Sequence, residues 1–85
     1  MLNTGISPEK YFYVCDGTVI KAVQELPDAL RNMSPEAFTF HVNEQKNDFF
    51  NWIRDVFELT HLARNIKNVK RKETMAKKVF IEIFT

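Results

Sequence analysis

Only two glycines and three prolines occur in the 85 residues. That scarcity excludes collagen-like, repeat and low-complexity chains, whose backbones depend on those residues. A single cysteine, Cys15, excludes an internal disulfide and fits a reducing, cytoplasmic setting. Cys15 lies in a strand-like run beside Asp16-Gly17 and reads as a small packing residue, with no basic neighbour in sequence to activate its thiol. No apolar run approaches the roughly 20 residues needed to cross a bilayer. The opening MLNTGISPEK has neither the basic start nor the apolar stretch of a signal peptide. Metal spacing is missing too: His41 and His61 stand twenty residues apart, with no H-x-x-x-H or C-x-x-C. Gly5 and Gly17 are isolated, so no Gly-rich phosphate loop is present. No cofactor and no metal are expected.

Aromatics are plentiful instead. Eight Phe, two Tyr and one Trp supply a core, each buried ring removing about 150–250 Å² from water. The length suits one domain and is too short for two. Residues 1–9 read as a flexible lead-in and 10–85 as a single globular domain. YFYVCDGTVIK reads as a β-hairpin, with Asp16-Gly17 suited to a type I′ turn. Val23, Leu26, Leu30 and Met33 fall at helical spacing, with Pro27 confined to the first turn. Ser34-Pro35 opens a short helix carrying Ala37 and Phe38, which ends or bends near His41 to Asn43. Phe49, Trp52, Ile53 and Val56 form one apolar face of a central helix. Thr60 is the expected cap of a helix with Leu62, Ala63 and Ile66 inward. Met75, Ala76, Val79, Phe80 and Ile83 share a side of the last helix, although KVFIEIF also alternates as a strand would. The expected fold is a small α+β domain, an N-terminal β-hairpin packed on about four helices.

Three motifs carry a resemblance. They are F-x-V-x-D-G (Phe12, Val14, Asp16, Gly17), L-x-x-A-L-x-x-M (Leu26, Ala29, Leu30, Met33) and H-V-N-x-x-K-N-D-F-x-x-W-I-x-D-V-F (His41 to Phe57). Together they resemble an uncharacterised prokaryotic, largely archaeal domain family over roughly residues 11–67. The resemblance implies no activity, cofactor or partner. The chain departs from that family at Ala22-Val23, where Ser-Leu is usual, and at Glu58-Leu59, where Gly-Asp is usual.

Three groups of residues are candidates for function. On a helix running continuously from His41, His41 and Asp48 line one edge of the apolar face beside Trp52. They would then lie about 10 Å apart along the axis, too far for a direct hydrogen bond. The plainer reading has His41 bonded to backbone and Asp48 orienting the helix; the sharper one has His41, Asp48 and Trp52 bordering a ligand or peptide pocket. General acid–base catalysis lacks a nucleophile or second acid, and no catalytic residue is assigned. Next, Asn43, Asn47 and Asn51 recur every four residues with Arg54 beside them, as a polar stripe opposite Phe49 or as helix caps. Finally, charge is uneven. Residues 1–63 hold five Lys/Arg against nine Asp/Glu, and residues 64–85 hold seven against two. Arg64, Lys67, Lys70, Arg71, Lys72, Lys77 and Lys78 form a basic run able to attract phosphates or acidic proteins. No aromatic platform stands between Arg64 and Lys78, which leaves base recognition without support there. The expected function is a non-catalytic interaction or regulatory module, with a protein partner or self-association. A nucleic-acid-binding accessory protein contacting phosphates through residues 64–78 is the alternative.

Overall fold

The computed structural model describes residues 6–85, so residues 1–5 of the expected lead-in lie outside the described residues. Pro8–Lys10 make one 3-10 turn. Strands β1 (Phe12–Tyr13) and β2 (Val19–Ile20) then pair antiparallel, Phe12 opposite Ile20 and Tyr13 opposite Val19. The expected type I′ turn is corrected. Val14 N–H donates to the Thr18 carbonyl at 2.8 Å, and Gly17 N–H to the Val14 carbonyl at 2.9 Å. Pairing Val14 with Thr18 leaves three loop residues, not two, and only Gly17 adopts a positive φ, +98°. The result is a type I turn closed by a left-handed glycine. Thr18 N–H also donates to Asp16 Oδ1 at 2.9 Å. The donors of Thr18, backbone first and hydroxyl second, hold the Asp16 carboxyl below its usual range. Cys15 sits in this loop, exposed and not packed as expected, because the alternation that turns Phe12 and Val14 inward turns position 15 outward.

Strands of two residues cannot stand alone in water. Phe12, Val14 and Ile20 point inward onto five helices: α1 (Leu26–Asn32), α2 (Pro35–His41), α3 (Asp48–Val56), α4 (Thr60–Ile66) and α5 (Lys72–Phe84). Helix α1 follows a 3-10 turn at Val23–Glu25, and Pro27 falls in its first turn, where a missing N–H removes no helical bond. Ala22 supplies no cap side chain. Ser34 Oγ accepts from Ala37 N–H at 3.1 Å and Pro35 opens α2, as the sequence indicates. Among the described residues, no helix is long and apolar enough to cross a membrane.

The chain does not stay helical from His41 to Phe57. It ends α2 at His41, reverses through residues 42–47 and restarts at Asp48. Asn43 N–H donates to the Lys46 carbonyl at 2.9 Å, and the Asn43 carboxamide donates to the Thr39 carbonyl at 2.9 Å. Short amide side chains compete with helical backbone bonds in this way, and here they win. Thr60 is the first residue of α4 and not its cap; the chain reaches it through Glu58, a non-glycine residue at φ +55°.

Helix α5 packs against α1 and α4, and α3 against α4. The strand-like alternation of its last residues resolves as helix through Phe84. Met75, Ala76 and Val79 are buried, but the expected inward set is too wide, since Phe80 is 42% exposed. One residue beyond Val79 on a helix is a 100° rotation, which carries Phe80 to the rim. There the Arg31 guanidinium lies 5.7 Å over its ring. Phe12 stacks on Phe49 at 4.4 Å and meets the edge of Trp52 at 5.5 Å, so the hairpin and α3 share one aromatic cluster.

Trp52 is 7% exposed, and its indole N–H donates to the Lys10 carbonyl at 2.7 Å. Trp52→Ala should therefore cost about 3–5 kcal/mol in urea unfolding. Trp52→Phe keeps much of the packing and should cost about 1–2 kcal/mol for the lost donor. An unchanged urea midpoint in Trp52→Ala would remove this residue from the core. Glu58→Gly relieves a left-handed conformation worth about 1–2 kcal/mol and loosens the unfolded chain in return. A net gain of about 0.5–1 kcal/mol is expected by the same measurement.

Candidate functional site

The reversal at 42–47 sets the geometry of every candidate residue. By ending α2 at His41 and starting α3 at Asp48, it brings His41 Nδ1 to 3.0 Å from Asp48 Oδ2. The separation of two helical turns expected from a continuous helix is thereby corrected. On the other side of the ring, Cys15 N–H donates to His41 Nε2 at 3.0 Å. A backbone N–H can only donate, so Nε2 accepts, and the ring proton sits on Nδ1 and points to Asp48. Lys46 Nζ adds an ion pair to the same carboxylate oxygen at 3.1 Å. His41 is 5% exposed and packs against the rings of Phe12 and Phe40, each at 5.0 Å. A histidine oriented by a carboxylate resembles the base of many hydrolases, but the nitrogen that would take a proton is held by Cys15 N–H. Trp52 is turned to the core and to Lys10, so His41, Asp48 and Trp52 build the junction of hairpin, α2 and α3. His61 pairs with Glu82 at 3.1 Å on the surface of α4 and α5. No group of three His, Cys, Asp or Glu able to hold a metal occurs among the described residues.

The Asn stripe is divided by the same reversal. Asn43 orders the turn, its Oδ1 accepting from Gln45 N–H at 3.0 Å. Asn47 caps α3, its Oδ1 accepting from Phe50 N–H at 3.0 Å. Its Nδ2 donates to the carbonyls of Ile66 and Lys67, at 2.9 and 3.2 Å, at the end of α4. Asn51 and Arg54 remain on the exposed surface of α3. Arg54 grips Asp55 through two N–H groups at 2.7 and 3.2 Å. That contact raises the Arg54 pKa and lowers that of Asp55.

By tying the start of α3 to the end of α4, Asn47 sets the turn 43–46 opposite the connection 67–70. Between them lies an open cleft of about 280 Å³, with Lys46 on one wall, Lys67 and Lys70 on the other, and Phe50 between them. Glu44 is the one carboxylate lining it. A second open cleft of about 190 Å³ adjoins, lined by Arg54, Arg64 and Thr60 and sharing Phe50 and Lys67 with the first. No carboxylate lines it. Phe50 is half-buried, with the Arg54 guanidinium 4.9 Å over its ring and the Lys67 ammonium at 5.8 Å. Cations at such distances are held by the negative face of the ring.

The basic run is therefore not one surface. Arg64, Lys67 and Lys70 gather at the clefts, and with Arg71 they make no ion pair among the described residues. Arg71 lines a separate shallow groove over Pro35 and Phe38. Lys72 is drawn in, donating to the Arg31 carbonyl at 3.1 Å and pairing with Glu73 at 3.3 Å. Lys77 and Lys78 are exposed on α5 and line neither cleft. Sequence reading missed Lys46 and Phe50. A usable signal existed for the second: Phe50 stands one residue off the apolar face and four before Arg54, a spacing at which helical side chains meet. Comparison of the chain with protein-family models, curated proteins and solved structures gives no match.

Asn47 serves two helices with one side chain, so Asn47→Ala should cost about 1.5–3 kcal/mol in chemical unfolding. Asn47→Asp is the sharper test. Aspartate caps as well as asparagine does, but it would set a carboxylate against two carbonyl oxygens. Asn47→Asp as stable as the parent would show that the link to α4 contributes nothing.

Proposed function

We propose that the protein is a non-catalytic binding module, working in the cytoplasm, that holds an anionic macromolecule along the paired clefts around Phe50 and Lys67. One observation carries this reading: Lys46, Arg54, Arg64, Lys67 and Lys70 line contiguous surface that contains a single carboxylate. Arg54 and Lys67 lie 4.9 and 5.8 Å from the Phe50 ring, hence within about one Debye length of each other at 0.1 M salt, so they act on an approaching anion together. Both clefts are open and fall below the roughly 300–1,000 Å³ of pockets that enclose small molecules, which favours a partner lying across the surface. An exposed Cys15 with no second cysteine to pair with is compatible with a reducing compartment. Both nitrogens of His41 are engaged by fixed groups, which supports binding over proton-transfer chemistry.

Two labelled polyanions, poly-glutamate and a single-stranded RNA, test the surface by fluorescence anisotropy from roughly 50 to 200 mM salt. At least one should bind with an affinity that falls log-linearly with salt. Lys67→Ala/Lys70→Ala changes only exposed side chains; it should weaken that binding and lower the salt slope by about one to two. Unchanged binding by the double variant would place the site elsewhere, and no binding to either probe would remove the reading.

A further inference from the structure

We infer that the anionic partner is a single-stranded nucleic acid, with one unpaired base stacked on the Phe50–Arg54 platform and its flanking phosphates held on either side of it. The inference rests on the binding reading above and specifies the partner of that same surface. What separates nucleic acid from an acidic protein is the aromatic ring at the centre of the cations. A carboxylate needs only the cations, and the negative face of a benzene ring opposes it. A nucleobase, in contrast, stacks on aromatic rings and on guanidinium planes alike. Phe50 offers the first and Arg54, 4.9 Å over the ring, the second. The placement is also bilateral. Lys46 and Lys70 flank Phe50 in one cleft, Arg54 and Arg64 in the other, and Lys67 lies between. A strand crossing Phe50 would meet a cation before and after the stacked base.

The platform is held before any ligand arrives. Phe50 N–H is fixed by the Asn47 carboxamide, and Arg54 is fixed by Asp55. Lys67 lies over the ring without a carboxylate partner among the described residues, able to swing to a phosphate as a base takes its place. The same geometry argues against duplex, whose bases are already stacked on each other and present only edges. It leaves RNA and single-stranded DNA equal, since both supply an unpaired base between phosphates.

The test compares oligomers of about eight nucleotides, a length within the usual footprint of such surfaces. The probes are single-stranded RNA, single-stranded DNA, the matching duplex, an abasic phosphodiester of equal length, and poly-glutamate. The parent protein should bind the base-bearing single strands roughly ten-fold more tightly than the abasic chain. Phe50→Ala should abolish that preference, so that base-bearing and abasic chains bind alike. Phe50→Leu retains apolar bulk without a π-face and should behave as Phe50→Ala does, whereas Phe50→Tyr should keep the preference. Circular dichroism confirms that each variant is folded. Equal binding of base-bearing and abasic chains by the parent overturns the inference, as does a preference that survives in Phe50→Leu, or duplex bound more tightly than single strand. Poly-glutamate bound in preference to every oligomer overturns it too, while leaving the anion-binding reading intact. Failure of all five probes removes both.

Discussion

One carboxamide, that of Asn47, decides where α3 begins and where α4 ends. Its oxygen takes the N–H of Phe50, and its nitrogen satisfies the carbonyls of Ile66 and Lys67. Helix termini leave four donors or four acceptors without partners, and a side chain that serves two termini must hold both in register. The turn at 43–46 and the connection at 67–70 face each other for that reason. Each wall of the larger cleft belongs to one of these segments, so the cleft follows from helix capping. Lys46, Lys67 and Lys70 are brought together by a contact in which none of their side chains takes part.

His41 does the corresponding work at the hairpin. A pair of two-residue strands has little stability of its own. Its inward residues lie on Phe49 and Trp52, and Cys15 N–H, which sits in the loop outside the ladder, is satisfied by His41 Nε2. Asp48 fixes the tautomer that makes this acceptance possible. The chain Cys15–His41–Asp48–Lys46 thus runs from the hairpin loop through the end of α2 and the start of α3 to the rim of the cleft. Lys46 is positioned by the same carboxylate that orients the buried imidazole.

Much of this fold is legible in the sequence, where a residue's type and its spacing agree. Ser34-Pro35 starts a helix on both counts, and Phe49, Trp52 and Ile53 are buried as their period requires. An end or bend near His41 to Asn43 is expected and is found. The apolar spacing around it is equally compatible with one long helix, so the full reversal through 42–47 was not fixed. Periodicity records which faces are apolar and is silent on a reversal that keeps the phase. The signal lay in Asn43 and Asn47, residues that compete for backbone bonds, and their recurrence every four positions reads equally as a surface stripe. Phe80 erred in the other direction. It fits an inward set by hydropathy, yet Met75, Ala76 and Val79 are the members of that set that are fully buried, and the rim position is covered by an arginine. The platform at Phe50 was missed for a plainer reason: beyond the Phe50–Arg54 spacing, its cations come from 46, 54, 64, 67 and 70, on both sides of the point where the sequence changes charge sign.

That last point bears on what the surface is for. Several cations are matched locally: Arg31 with Asp28 and Lys72 with Glu73 away from the clefts, Lys46 with Asp48 and Arg54 with Asp55 at their walls. Exposed pairs of this kind contribute little to stability, but they largely cancel each other's field. Around Lys67 the matching stops. Arg64, Lys67 and Lys70 stand on adjoining walls without a carboxylate partner among the described residues. Like charges held close repel, so this arrangement works slightly against the isolated fold, and the Asn47 link that creates it must overcome that repulsion. An anion in the cleft reverses the sign of the interaction. These unpaired cations adjoin a half-buried aromatic ring that lies under Arg54 and Lys67, and a ligand that offers negative charge and a stacking face in alternation answers both features at once.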